Sequence, residues 1–226
     1  MNRPKTYKNL LWDLDGTLTD PAVGITTAAQ HALRRCGVDA PDRRELTKFI
    51  GPPLMDAFRG MYGFTEERAR EACGHFREYY NVTGLYENRM YDGVDTLLDR
   101  LAAEGMNLYV ATSKPSPIAQ MVLEHFDLAR RFIFIGSDTA DHRRPNKAAV
   151  IDYVMRENGI GKDGAVMIGD RKHDVIGARA TGIDSIGVLY GYGSREELEG
   201  HGATHVAATV EELGRLLLGQ TSKTNN

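Results

Sequence analysis

Two aspartates follow the first apolar run of the chain. Residues 10–12 read Leu-Leu-Trp and lead into Asp13-Leu14-Asp15-Gly16-Thr17. Side chains of a strand alternate between its faces, so Asp13 and Asp15 point to the same side in a continuing strand. Gly16 then lets the backbone turn. The pattern indicates paired carboxylates at the end of a buried strand, although Asp and Gly also occur together in ordinary turns.

A second pair of carboxylates follows another apolar run. Residues 166–168 are apolar, Asp170 comes two residues later and Asp174 four residues after that. In a parallel sheet these side chains would converge with Asp13 and Asp15. Each pair of carboxylates about 4 Å apart repels by about 4 kcal/mol at an effective dielectric near 20, so a cation must bind there. Oxygen ligands suit Mg²⁺, and we predict a magnesium site formed by Asp13, Asp15, Asp170 and Asp174.

Hydroxyl and ammonium groups that could bind phosphate stand at two other positions. Thr112 and Ser113 follow the apolar run 108–111, where hydroxyls and turn amides can bind phosphate oxygens. The same residue types also commonly cap helices. Lys147 opens a predicted helix at 147–157, and a lysine there is unfavourable unless it faces negative charge. The predicted phosphate-binding residues are Thr112, Ser113, Lys147 and Gly16.

The elements that must position these residues alternate between strands and helices. Apolar runs at 10–12, 108–111, 132–135, 166–168 and 185–189 predict five strands, and a weaker run at 205–207 predicts a sixth. Apolar residues spaced three and four apart at 94–101 and 150–155 predict amphipathic helices. Such alternation over residues 91–218 favours an α/β fold with a Rossmann-like parallel sheet flanked by helices. Ligands of such sheets bind beyond the carboxyl ends of the strands.

The segment between residues 20 and 88 breaks this alternation. It holds no convincing strand, and apolar residues at helical spacing predict a helix that begins near Ile25. Asp42 and Thr65 precede two further helical patterns as candidate N-caps. We predict an all-α cap domain at 19–87, inserted between residues 1–18 and 88–218 of the catalytic core. The polar tail at 219–226 is predicted to be disordered.

Composition limits the function classes. Of the 226 residues 42% are apolar, and 28 basic against 31 acidic residues give a net charge of −3. This balance provides no basic field for a nucleic acid polymer or an anionic membrane. Cys36 and Cys73 lack metal-ligand spacing, and no apolar run approaches membrane-spanning length. We therefore expect a cytoplasmic protein with reduced thiols. The sequence carries no signal for the oligomeric state, and our working hypothesis is a monomer or a weak dimer.

Together these motifs resemble those of the haloacid dehalogenase-like hydrolases over residues 8–218. The match consists of residues 10–17, Thr112, Lys147 and residues 169–174, in that order. The resemblance implies that Asp13 attacks phosphorus and forms an aspartyl phosphate. It implies that Asp15 acts first as acid and then as base. It also implies that Asp170 and the Asp15 main-chain carbonyl bind Mg²⁺, with Asp13 bridging the ion and Asp174 supporting the site.

A loop in the predicted cap limits the resemblance to one branch of the family. Gly51-Pro52-Pro53 resembles the phosphoglycolate phosphatase and 5'-nucleotidase branch, in which a small helical cap closes over the leaving group. The implied substrate is a small phosphorylated metabolite of the phosphoglycolate or nucleoside 5'-monophosphate type. Many relatives carry Lys-Pro where this chain has Arg144-Pro145, so Arg144 remains a possible substitute for Lys147.

Three other functions share parts of this pattern. A dehalogenase lacks the second aspartate of the first motif, so Asp15 argues against halide chemistry. A phosphosugar mutase resembles the chain in layout but carries a basic residue in the cap loop, where residues 49–54 contain none. A phospho-aspartate receiver or binding module also combines carboxylates, a hydroxyl and a lysine, but the predicted lid of nearly seventy residues argues against it. Hydrolysis of a phosphomonoester is the leading hypothesis.

Overall fold

The computed structural model describes residues 6–139 and 143–219. Apart from Gly219, the predicted disordered tail lies outside this part of the chain. The described residues form two compact units. One comprises the chain up to Leu18 and from Met90 onward, and the other is Thr19–Arg89.

The strands and helices of the described residues alternate as follows. The strands are β1 (Asn9–Trp12), β2 (Thr19–Asp20), β3 (Arg89–Met90), β4 (Asn107–Pro115), β5 (Phe134–Asp138), β6 (Ala165–Gly169), β7 (Asp184–Val188) and β8 (His205–Ala207). The α-helices are α1 (Ala22–Arg35), α2 (Leu54–Tyr62), α3 (Glu66–Tyr79), α4 (Val94–Ala103), α5 (Ser116–His125), α6 (Lys147–Glu157), α7 (Lys172–Thr181), α8 (Arg195–Gly200) and α9 (Val210–Leu217).

A six-stranded parallel sheet forms the centre of the larger unit. Its strand order is β5-β4-β1-β6-β7-β8, so β1 lies between β4 and β6. Trp12, the last residue of β1, is in register with Val110 of β4 and Ile168 of β6. The residues that follow these three positions therefore lie side by side at the carboxyl edge of the sheet. The predicted α/β fold with a parallel sheet flanked by helices is confirmed.

Burial explains why the strands could be predicted. All five residues of β6 are buried, as are the last three of β1, and continuous apolar runs are typical of central parallel strands. Val150, Ile151 and Val154 form the apolar face of α6, which packs on residues of β4 and β6. The candidate site thus lies at the ends of strands that are packed in the hydrophobic core.

Some strand positions differ from the prediction. The chain forms a 3₁₀ turn at Ala129–Arg131, so β5 begins at Phe134 instead of residue 132. Strand β4 continues to Pro115 and contains a bulge, because Thr112 pairs with Ser137 while Pro115 pairs with the next residue, Asp138. A two-stranded sheet of β2 and β3 was not predicted. Two-residue strands are too short for a period of two to be recognised.

The unit Thr19–Arg89 is largely helical. It contains α1, α2 and α3, a 3₁₀ helix at Arg43–Phe49 and a π-helix at Tyr80–Gly84. The predicted caps are present, since Asp42 accepts the Arg44 N–H and Thr65 accepts the Arg68 N–H. A Cβ on Gly24 would lie 1.9 Å from the carbonyl oxygen of Gly84, so the α1 backbone meets the π-helix directly.

Within the described ranges, 6–139 and 143–219, the helices are all too short or too polar to cross a membrane.

Candidate active site

Three of the four predicted carboxylates converge beyond the ends of β1 and β6. Asp13 follows β1 directly, and its N–H donates to the carbonyl of Ile168 over 2.9 Å. Asp170 follows β6, and Asp174 lies in the first turn of α7. One oxygen from each of Asp13, Asp170 and Asp174 lies within 4.8 Å of the others, and all three residues are buried. The parallel sheet therefore brings the two motifs to one point.

Lys147 lies among these carboxylates. Its Nζ is 2.7 Å from Oδ1 of Asp13, 2.9 Å from Oδ1 of Asp174 and 3.0 Å from the carbonyl oxygen of Ala111, to which it donates. Burial alone would lower the pKa of Lys147, but Asp13 and Asp174 offset that effect and raise it above its ordinary value. The side chain is therefore a buried, fixed ammonium ion beside Asp13.

Asp15 has a cationic partner that the sequence did not predict. Its Oδ2 accepts a hydrogen bond from Nζ of Lys114, and the Lys114 side chain is only 6% exposed. Its other oxygen, Oδ1, is buried and has no hydrogen-bond partner among the residues that the structure describes. Lys114 comes directly after the predicted pair Thr112 and Ser113, within the bulge of β4 between Thr112 and Pro115.

Two of the predicted phosphate-binding residues lie on β4. Thr112 is buried, and its hydroxyl accepts the N–H of Lys114 over 3.2 Å. A hydroxyl that accepts one hydrogen bond can also donate one. Ser113 is partly exposed in the bulge. Thr112 and Ser113 thus lie at the irregular end of β4.

The loop after β7 packs against Asp170, and this contact was not predicted from the sequence. The N–H of Tyr192 donates to Oδ2 of Asp170 over 2.8 Å. A Cβ on Gly191 would lie 2.4 Å from the Asp170 Cβ, and one on Gly193 would lie 2.0 Å from its carbonyl oxygen. Gly16, which follows the neighbouring strand β1, also lies against the Asp170 carboxylate. Glycines 187, 191 and 193 in a short window were the only sequence signal for this close approach.

The electrostatics of the cluster favour a bound cation. Burial, followed by the charges of Asp174 and Asp13, raises the pKa of Asp170 well above its ordinary value. Burial also raises the pKa of Asp174, although Lys147 opposes the shift. Oδ1 of Asp170 is buried without a hydrogen-bond partner in the described part of the chain. This orphaned oxygen and the all-oxygen ligand set fit a hard divalent cation.

Arg144, the alternative to Lys147, faces a different neighbour. Its guanidinium stacks over Tyr153 at 3.9 Å from the ring centroid, and its Nε donates to the carbonyl of Ser137 over 2.6 Å. Lys147 rather than Arg144 thus makes the contact with Asp13.

The predicted cap residues lie in the smaller unit. Gly51, Pro52 and Pro53 connect the 3₁₀ helix Arg43–Phe49 to α2, and Gly51 adopts a positive φ of 102°. Gly51 and Pro53 are exposed, while Pro52 is half-buried. The loop is therefore accessible within its own unit.

Comparisons with known proteins identify relatives of this chain. Residues 10–188 match the family model described as haloacid dehalogenase-like hydrolase. The chain is 47% identical over 211 residues to a 5'-nucleotidase of Pseudomonas aeruginosa, and the match spans 93% of this chain and 96% of that protein. A crystal structure of a predicted phosphatase from Clostridium acetobutylicum is similar with a TM-score of 0.92 at 43% identity, covering 95% of this chain and 100% of that one.

Two further relatives carry different names. The chain is 38% identical over 210 residues to the tyrosine-protein kinase PtkA of Mycobacterium tuberculosis, covering 92% of this chain and 72% of that protein. It is 30% identical over 213 residues to the phosphoglycolate phosphatase of Colwellia psychrerythraea, covering 90% and 94% respectively.

Proposed function

The chain belongs to the haloacid dehalogenase-like hydrolases and is a phosphatase, and on this premise we propose that it hydrolyses small phosphomonoesters through an aspartyl phosphate on Asp13. The observation that carries the proposal is the position of Asp13. It is a buried carboxylate at the carboxyl end of the central strand, ion-paired to Lys147 and within reach of two further carboxylates. A nucleophile needs such fixed geometry.

In the first half-reaction, an oxygen of Asp13 forms a bond to phosphorus while the bond to the leaving oxygen breaks. Oδ1 of Asp13 accepts the N–H of Leu14 over 2.8 Å and contacts Lys147, so we assign the attack to Oδ2. Asp15 donates a proton to the departing oxygen. In the second half-reaction Asp15 takes a proton from water, which attacks phosphorus, releases phosphate and restores Asp13.

The phosphate is proposed to bind between Lys147, the Thr112 hydroxyl and the turn at Ser113 and Gly16. The buried ammonium of Lys147 supports this role, because it offsets negative charge next to Asp13. With Asp15 protonated for its role as acid, the carboxylates of Asp13, Asp170 and Asp174 and the ammonium groups of Lys114 and Lys147 leave a formal charge of −1 before any substrate binds. This charge alone would repel a phosphate dianion.

We propose that Mg²⁺ is the cofactor. Asp13, Asp170 and the main-chain carbonyl of Asp15 would hold the ion, with Asp174 supporting the site. When bound, the ion supplies positive charge that offsets the carboxylates and the phosphate oxygens. The orphaned Oδ1 of Asp170 is the structural support for this assignment.

The proposed substrate class is a small phosphorylated metabolite. Relatives named 5'-nucleotidase and phosphoglycolate phosphatase favour a nucleoside 5'-monophosphate or phosphoglycolate. Gly51, Pro52 and Pro53 of the cap are proposed to contact the leaving group, and closure of the cap would exclude water during the first half-reaction. We further propose that the enzyme acts in the cytoplasm as a monomer or weak dimer.

The proposed function is tested by measuring phosphate release from a panel of phosphomonoesters with Mg²⁺. The wild type should turn over many times and show its highest kcat/KM on one metabolite class. A single stoichiometric phosphorylation would identify a receiver module instead, and isomer conversion without phosphate release would identify a mutase. Asp13→Asn should abolish turnover. Asp152→Asn is the matched control, because Asp152 is an exposed carboxylate of α6 paired only loosely, at 3.5 Å, with Arg156.

A further inference from the structure

The geometry of the ion pair between Lys114 and Asp15 indicates a role in addition to charge neutralisation. Lys114 binds only one of the two carboxylate oxygens, Oδ2, and the contact is largely buried. Oδ1 of Asp15 is also buried but has no hydrogen-bond partner within residues 6–139 and 143–219. The two oxygens of Asp15 are therefore not equivalent.

Lys114 is itself held in place by the irregular end of β4. The strand advances three residues, from Thr112 to Pro115, while its partner β5 advances one, from Ser137 to Asp138. The N–H of Lys114 donates to the Thr112 hydroxyl across this bulge. Bulges re-aim side chains, and here the re-aimed residue is the one that contacts Asp15.

From this geometry we propose that Lys114 is a positioning residue for Asp15, an inference that rests on the proposed function. Lys114 fixes Oδ2 so that Oδ1 is the oxygen that exchanges a proton with the leaving group. In the first half-reaction the phosphorus–oxygen bond to the leaving group breaks, and the departing oxygen takes the proton from Oδ1. In the second, Oδ1 takes a proton from the attacking water. Lys114 transfers no proton in either step.

Leaving-group dependence separates this role from a structural one. An alkyl phosphate expels a strongly basic alkoxide that needs a proton, whereas p-nitrophenyl phosphate expels a phenolate that leaves without one. Loss of a correctly placed acid therefore slows alkyl phosphates selectively. A general loss of folding, of phosphate affinity or of metal affinity would slow both substrates by the same factor.

The experiment measures kcat/KM for ethyl phosphate and p-nitrophenyl phosphate with Mg²⁺, because kcat/KM reports steps up to the first irreversible one. Lys114→Met should lower the value for ethyl phosphate about 10²-fold and the value for p-nitrophenyl phosphate by less than about tenfold. Lys114→Arg, which keeps the cation, should recover most of the loss. Lys162→Met is the matched control, since Lys162 is an exposed lysine of the same unit.

Asp15→Asn completes the test. It should show the same selectivity, and adding Lys114→Met to it should cause no further selective loss, because the two residues act as one unit. Lys114→Gln replaces Lys114→Met if the latter does not fold by circular dichroism. Equal losses on both substrates, or no loss on either, would overturn the role of Lys114 while leaving hydrolysis intact. Absence of phosphate release by the wild type from every ester would instead overturn the proposed function itself.

Discussion

A side-chain methyl on Gly16 would lie 2.2 Å from Oδ2 of Asp170, although the two residues are 154 positions apart in the chain. Gly16 also has a φ of 81°, in the left-handed region that side chains with a Cβ disfavour. Residues 10–17 thus contribute a pair of carboxylates and also a glycine without a side chain. Asp170, in the motif at residues 169–174, packs against that glycine. Glycine is required here for both conformation and space.

Gly16→Ala is therefore expected to damage the site as well as the backbone. The positive φ costs about 1–2 kcal/mol of unfolding free energy, and the methyl group displaces the Asp170 carboxylate. We expect loss of most Mg²⁺-dependent activity, measured by phosphate release, alongside a lower denaturation midpoint. Gly159→Ala is the matched control, because Gly159 has a φ of 61° but no atom within 4 Å of the added methyl group. If both variants kept full activity, the assigned contact between Gly16 and Asp170 would be irrelevant to the site.

Lys147 and Arg144 should differ sharply when each is replaced by methionine. Lys147 lies 2.7 Å from Asp13, whereas Arg144 stacks on Tyr153. Removing one charge-stabilising donor from a catalytic site costs about 10²–10³-fold in kcat, and we expect that loss for Lys147→Met. Arg144→Met should stay within about fivefold of wild type, which corresponds to about 1 kcal/mol. The reverse ranking, measured by steady-state kinetics, would assign the phosphate-binding role to Arg144.

Mg²⁺ should stabilise the wild type and have no such effect on Asp170→Asn. At a Mg²⁺ concentration of one hundred Kd, binding adds about 2.7 kcal/mol and should raise Tm by about 5–10 °C. Metal-free Asp170→Asn should be at least as stable as metal-free wild type, because burial and neighbouring carboxylates raise the pKa of Asp170 and disfavour its charge. Differential scanning calorimetry with and without Mg²⁺ measures both effects. An equal Mg²⁺ shift in the two proteins would place the ion elsewhere.

Much of the fold was accessible from local patterns. The apolar runs predicted β1 and β6 because central parallel strands are buried on both faces, and the register then places Asp13 beside Gly169. The helical face of α6 was likewise predicted, since its apolar residues recur at the period of a helix. These features depend on residues within one element and on one general rule of sheet geometry.

Other parts of the site depend on irregular backbone and could not be predicted locally. The bulge in β4 directs Lys114 toward Asp15, and nothing in the run of residues 108–115 specifies such a bulge. The contact of Tyr192 with Asp170 joins the loop after β7 to the end of β6. The sequence accordingly predicted one lysine at the site, Lys147, where the folded site has two.

Covalent catalysis by Asp13 can be tested by detecting the phosphoryl group on that side chain. The wild type is mixed with substrate and Mg²⁺, quenched in acid within the first turnovers, digested and mapped by mass spectrometry. We predict one phosphoryl group on the peptide that contains Asp13, at a side-chain carboxylate, and its absence from Asp13→Asn treated in parallel. Phosphate release by a wild type that carries no phosphoryl group at any quench time, or carries it on a different residue, would contradict the assignment of Asp13 as the nucleophile.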